Sequence, residues 1–278
     1  MTRTLHHLSQ RALPLLLLIA AACTQETAAE VAFLDGAKAV AQIDLRAATP
    51  PAETVTVFEP YELRDVTFRG VPATALLDHI YGTTWRTGQA VALIARDGYT
   101  ATVPVSRLLS HKAWFAFARE DRREFVLDKK VPKVETVSIA PVYLVWDSAK
   151  DALIRAEGDY GWPYQLATVK LTTFAAAFPG LAPPMPSPPE ATAGFELFTR
   201  HCVTCHSLDG NGGKVGPELN APHNVTEYWQ PQWLHQWLDN PQSIRKGTAM
   251  PGMPGNVPNR QKAIDDVIAY LKAMTHGP

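Results

Sequence analysis

The chain has 278 residues, which at about 150 residues per domain suggests roughly two domains. Hydrophobic residues make up 46% and charged residues 19%, a globular rather than a disordered composition. With 26 basic and 27 acidic residues the net charge is -1, which argues against nucleic acid as a partner, because phosphate chains need a basic face.

Residues 1–22 have the three parts of a secretory signal peptide. Arg3 and Arg11 give a positive start, Leu13 and Leu15 to Ile19 an apolar core, and Ala20, Ala21 and Ala22 the small residues a signal peptidase accepts. The apolar run Ala12 to Ala22 is 11 residues long. A membrane-spanning helix needs about 20. Cys23 follows at once, and a lone cysteine after small residues resembles the lipobox of bacterial lipoproteins. That resemblance implies lipid attachment at Cys23 and a periplasmic protein anchored to the membrane. Ala20 stands where the lipobox prefers Leu, and an ordinary signal peptide cut at Ala22 or near Ala29 is the alternative. Without residues 1–22, 24 of the 26 basic residues remain against 27 acidic ones, a net of -3. So mildly acidic a surface suits a cationic redox partner.

Residues 23–30 read as a small polar tether. From 31 to 178 short apolar segments alternate with turns, the pattern of a mixed α+β domain with a mainly antiparallel sheet. Strands are expected at Thr54–Phe58, Trp114–Ala118, Pro141–Trp146 and Gln165–Leu171, and a helix at Ala73–Ile80. Val91–Ala95 and Tyr99–Val105, joined by Asp97-Gly98, read as a hairpin. Residues 179–189 hold six prolines in eleven positions, so they are neither helix nor central strand. As a polyproline linker they would span ~34 Å at about 3.1 Å per residue.

Residues 190–278 have helical periodicity. Ala191–His201 places Phe195 and Phe198 at helical spacing. Glu227–Leu238 places Trp229, Trp233 and Trp237 on one face, and Gln261–Met274 carries an apolar stripe at Ile264, Val267, Ile268 and Leu271.

Cys202-Val203-Thr204-Cys205-His206 is C-x-x-C-H, the attachment pattern of c-type haem. Two thiols three residues apart can add to the two vinyl groups of one haem, and the next residue offers an imidazole to the iron. A redox dithiol or half a zinc site are the alternatives. Neither a thioredoxin-like βαβ context nor a second cysteine pair accompanies the motif.

From about Thr192 to the end the chain resembles class I cytochrome c. The likeness rests on a helix running into C-x-x-C-H, then Gly213-Lys-Val-Gly-Pro217-Glu-Leu219, a methionine loop and a closing helix. The resemblance implies an all-α cytochrome c fold with one covalent haem c. It also implies that the Pro217 carbonyl accepts the free N–H of His206, that glycines 210, 212, 213 and 216 let the backbone turn around the haem, and that Tyr270 packs on Phe195 or Phe198. In the loop Gly247-Thr-Ala-Met250-Pro-Gly-Met253 both methionines are candidate sixth ligands; the family pattern Gly-Thr-x-Met-Pro favours Met250, with Met253 as packing. The implied site is therefore Cys202, Cys205, His206, Met250 and Pro217, with His206 and Met250 on the metal. Such a His/Met iron has no open position and transfers single electrons. His201, facing outward, His223 and His235 are expected to be surface or hydrogen-bonded residues.

Gly70-Val-Pro72 with Leu76-Leu77, followed by Asp97-Gly-Tyr99, resembles the molybdopterin-binding domain of the sulfite oxidase family. Trp162-Pro-Tyr-Gln-Leu166 fits its closing segment. That family holds molybdenum through a cysteine, and none occurs between Cys23 and Cys202, so molybdopterin is not expected here. Arg64, Arg69, Arg96, Arg107, Arg119, Arg122 and Arg123 read as a solvated surface. The leading expectation is an exported, lipid-anchored monohaem cytochrome, an electron carrier more than an enzyme. Its first domain docks a periplasmic or membrane redox protein as donor or acceptor. A sulfite-oxidase-like enzyme with an internal cytochrome, and a haem sensor, are the alternatives.

Overall fold

The computed structural model describes residues 28–131, 133–255 and 257–275. The expected signal peptide, residues 1–22, and the expected lipid-attachment residue Cys23 lie outside the described residues. Among the described residues, no helix is long and apolar enough to cross a membrane.

The N-terminal region is β-rich. Its elements are β1 (Glu30–Asp35), β2 (Lys38–Asp44), β3 (Glu53–Glu59), β4 (Arg64–Pro72), α1 (Ala73–Tyr81), β5 (Ala90–Ala95), β6 (Thr100–Pro104), α2 (Val105–Ser110), β7 (Ala113–Arg119), β8 (Val126–Lys129), β9 (Glu135–Ser138), β10 (Tyr143–Trp146), α3 (Ala152–Ala156), β11 (Leu166–Thr172) and α4 (Phe174–Ala177). They form one sheet in the order β2-β1-β11-β5-β6, a second in the order β10-β7-β4-β3, and the hairpin β8-β9. Within these sheets the pairings are antiparallel except for β1 with β11, which brings the two ends of the region together. The hairpin turn forms as its sequence predicts: Gly98 takes a positive φ and Asp97 Oδ1 accepts the Tyr99 N–H at 2.9 Å. Strand β10 is a sheet edge, yet all four of its residues are buried. The segment after α3 covers it, with Leu144 N–H donating to the Pro163 carbonyl at 3.1 Å.

Two arginines expected on the surface are interior. The Arg119 side chain is fully buried and bonds Glu62 and Asp121 at 2.7 Å each, which holds the Asp121 carboxyl far below its usual range. Arg107 is also buried and pairs with Glu157. Burial of a guanidinium demands such partners, and Glu62 and Glu157 lie 57 and 50 residues away along the chain, where local composition does not show them.

The C-terminal region is helical: α5 (Pro189–His201), α6 (Val225–Tyr228), α7 (Pro231–Asp239), α8 (Pro241–Ile244) and α9 (Arg260–Ala273). Helices α5 and α9 cross at Gly194, where any Cβ would overlap the Asp266 carbonyl oxygen. Beside the crossing Tyr270 meets both Phe195 and Phe198, with ring centroids 5.5 and 5.2 Å away. The single tryptophan helix expected from 227 to 238 is broken. Gln230 precedes Pro231 and is extended (φ -65°, ψ 137°), so α6 ends and α7 starts anew with proline in its first turn. Trp229 consequently lies outside α7 and stacks on Trp237 at 5.6 Å, while Trp233 is half exposed.

The proline-rich segment is not an extended spacer. Leu181 is buried in the helical core, its carbonyl accepts the Tyr270 hydroxyl at 2.6 Å, and Phe174 stacks edge-on against Phe195 at 6.3 Å. Proline denies the segment a ladder, but it does not stop the intervening leucine from packing. A fragment that begins at Glu190 loses these contacts and leaves a buried hydroxyl unpaired. It is expected to unfold at least about 2 kcal/mol more easily than a fragment that begins at Thr173, as read by denaturant titration of tryptophan fluorescence.

Candidate functional site

Helix α5 runs directly into the C-x-x-C-H motif. Cys202 and Val203 N–H still donate to the Phe198 carbonyl, both at 2.9 Å. Cys205 and His206 N–H then fold back on the Cys202 carbonyl at 3.0 and 2.9 Å. This turn brings the two thiols and the imidazole together over a single coil of backbone. Neither cysteine is in a disulfide. Burial, reinforced by Cys205, pushes the Cys202 thiol up to about 12. A redox dithiol works as thiolate, so a thiol held protonated at neutral pH disfavours that reading of the motif.

His206 is buried, and its Nδ1 lies 2.8 Å from the Pro217 carbonyl oxygen. A carbonyl only accepts, so Nδ1 carries the proton and Nε2 keeps its lone pair. The loop from 207 to 219 is drawn tight against the ring. Gly216 N–H donates to the Cys205 carbonyl at 2.7 Å, and a Cβ at Gly216 would overlap the imidazole. Glycine is required there by close approach.

Three side chains that secure this loop have no signature in the sequence. Glu218 accepts the N–H groups of Asp209, Gly210 and Asn220 at 2.9, 3.1 and 3.0 Å. Against burial, a hydrogen bond from the Ser207 side chain and then these backbone bonds hold its carboxyl below the usual range. The Asn220 amide donates to the Met274 carbonyl at 2.9 Å, and the Asn224 amide to the Leu271 carbonyl at 2.8 Å. Asn224 also caps α6 in a reciprocal box with Glu227.

The two candidate methionines occupy different environments. Met253 is buried in the helical core, and its N–H donates to the Leu238 carbonyl at 2.8 Å. Arg260 Nε donates to the Met253 carbonyl at 2.9 Å and also pairs with Asp239, which fixes the loop to the start of α9. Met250 is half buried and packs against the edge of the same core. His201 does not face outward as expected. It lies against Tyr160 of the N-terminal region, ring centroids 6.2 Å apart, and burial and Arg200 lower its imidazole to about 4. His223 is exposed beside Glu227, and His235 lies 3.5 Å from Asp265.

A family model, Cytochrome c, matches residues 191–275. Cytochrome c of Gossypium barbadense is 34% identical over 106 residues, covering 32% of this chain and 93% of that protein. Cytochrome c2 of Rhodopila globiformis is 33% identical over 104 residues, covering 31% and 95%. Cytochrome c oxidase subunit 2 of Alkalihalophilus pseudofirmus is 25% identical over 119 residues, but the match spans only 34% of that protein and 40% of this chain. Through its C-terminal region the chain belongs to the cytochrome c family. Membership implies covalently bound haem c and service as a haem electron carrier with redox partners. The residues present fit that group. A buried imidazole offers a free Nε2, a glycine clears its face, two unbridged thiols stand on the same turn, and half-buried Leu219, Trp229 and Met250 border the core. The family model leaves the N-terminal sheets outside it, and their likeness to a molybdopterin domain is not confirmed. There, the Gly70-Val-Pro72 stretch ends β4, Leu76 and Leu77 are buried in α1, and Asp97-Gly98 turns the β5–β6 hairpin.

Because Met253 is the packed methionine, Met253→Ala is expected to destabilise the fold by about 2–5 kcal/mol. Met250→Ala should cost clearly less. Thermal or denaturant unfolding of the two variants side by side checks the order.

Proposed function

We propose that this chain is an exported monohaem c-type cytochrome that transfers single electrons in a periplasmic redox chain, with the N-terminal domain docking a redox partner. The observation that carries the reading is the hydrogen bond from His206 Nδ1 to the Pro217 carbonyl, because it gives the imidazole the tautomer a metal ligand needs. When bound, haem c supplies an iron that changes oxidation state by one electron without a change of ligands. Cys202 and Cys205 hold it through their sulfurs, and the single C-x-x-C-H motif makes it one haem. His206 Nε2 and the Met250 thioether would hold the iron, and Met253 secures the loop that carries Met250. Pro217 orients His206 and raises its basicity.

The N-terminal domain is read as a relative of the molybdopterin-binding domain that has no thiolate for molybdenum. The spacing of small residues before Cys23 supports lipid attachment there, and with it anchoring of a periplasmic protein to the membrane.

Met250→Ala is expected to abolish the weak far-red band of His/Met ferric haem and to lower the reduction potential, because a thioether ligand favours the reduced iron. Loss of the band in Met253→Ala, with Met250→Ala unchanged, would reverse the assignment. Cys23→Ser is expected to move the protein from the membrane to the soluble periplasmic fraction, since stable anchoring needs more than one acyl chain. Intact mass spectrometry of the wild-type protein should show the lipid, and a wild-type mass without one removes the anchor.

A further inference from the structure

The two regions meet over a crevice of about 90 Å³. Its walls are Glu157 and Tyr160 from the N-terminal side, Arg200 and His201 from the end of α5, and Pro254 and Val257 from the methionine loop. That volume has room for several water-sized particles. Arg200 Nε and His201 Nε2 are both buried without a hydrogen-bond partner, and so is Arg107 Nε. Polar atoms so placed are rarely left unpaired without a reason.

The charges around the crevice do not balance. Arg107 and Arg200 each pair with one oxygen of the same carboxylate, Glu157. The two guanidinium groups also flank the Tyr160 ring, with Cζ 4.9 and 4.3 Å from its centroid. Two positive charges thus share one negative charge, and the Arg107 side chain is only 5% exposed. Burial, with Arg200 adding to it, draws the Arg107 guanidinium below its usual range despite Glu157.

We propose that this crevice binds a small monovalent anion, held by Arg200 and His201 and closed over by the N-terminal domain. An anion accepts from Arg200 Nε and from His201 in its Nε2–H tautomer, and it neutralises the excess charge. Water could pair with the same atoms but leaves the charge unbalanced. A cation is repelled by the two guanidinium groups. Because the walls come from both regions and from the methionine loop, occupancy stabilises the docked arrangement, as the logarithm of anion concentration once that exceeds the dissociation constant.

The test uses the full-length haem-loaded protein, with bromide as the probe and gluconate, a larger and more strongly hydrated anion, as the control at equal ionic strength. The unfolding temperature should rise with bromide, logarithmically above its dissociation constant, and not with gluconate. Crystals grown in bromide should show its anomalous signal beside Arg200 Nε and His201 Nε2. Arg200→Gln, and His201→Phe, which keeps a ring against Tyr160, should each weaken the bromide response roughly tenfold, the effect of losing one charge-assisted hydrogen bond. The proposal is overturned by equal unfolding temperatures in the two salts, by a bromide response that survives in His201→Phe and in Arg200→Gln, or by bromide found only outside a water-filled crevice.

Discussion

A carbonyl oxygen has nothing to donate, so the bond between His206 Nδ1 and Pro217 decides where the imidazole proton sits. The C-terminal region is built to keep those two groups 2.8 Å apart. His206 is delivered by a turn that α5 feeds through the Phe198 and Cys202 carbonyls. Pro217 is delivered by a loop held to that same turn at Gly216 and braced internally by Glu218. Asn220 and Asn224 tie the segment after the loop to the last turns of α9. Helix α9 in turn rests on α5 at Gly194. The chain makes a closed circuit of helix, turn, loop and helix, and a shift at any point moves the ring.

That circuit explains how so little regular structure keeps its form. Helices α6 and α8 have 4 residues each and α7 has 9, while α5 and α9 have 13 and 14. Only the two longest can bury a broad stripe against each other. The short ones are held by caps, by prolines in their first turns and by side chains such as Arg260, which joins Asp239 to the Met253 carbonyl. A region of this size has too little apolar surface of its own for a large core, and a covalently held apolar cofactor makes up the shortfall. Phe174 and Leu181 add to the same core from outside the matched region.

What could be read from the sequence follows the distance between the residues concerned. Covalent haem attachment needs thiols and imidazole within five consecutive positions, so residues 202–206 declare themselves. The methionine loop and the Gly-Pro-Glu-Leu stretch are similarly compact. Asn220 and Asn224 act through carbonyls 54 and 47 residues away, and nothing local marks them. Arg119 has a local partner in Asp121, but its burial depends on Glu62, 57 residues distant, which local composition does not show. His201 was read as surface because Tyr160 belongs to another region of the fold. The broken tryptophan helix is a different case: Pro231 is a local signal for a break, while the aromatic residues at four-residue spacing point to one continuous helix. Strand β4 alternates in burial but carries charges that blurred its pattern, and the parallel pairing of β1 with β11 joins the two ends of a region of about 140 residues, beyond any window of local periodicity.

The attachment of the N-terminal region bears on how electrons could reach the C-terminal one. A domain on a flexible spacer raises the effective concentration of its partner but leaves the approach geometry open. Here two separate contacts remove that freedom. At one, Phe174 and Leu181 join the helical core and meet Phe195 and Tyr270. At the other, Glu157 receives Arg200 from the turn of α5 that precedes Cys202. A single contact would act as a pivot, whereas two on different faces of α5 and its neighbours set an orientation. On the docking reading proposed above, a partner on the N-terminal sheets would meet the Cys202–His206 turn in a set orientation. Electron transfer falls off steeply with distance, so a fixed geometry serves it better than a long search by a tethered bead.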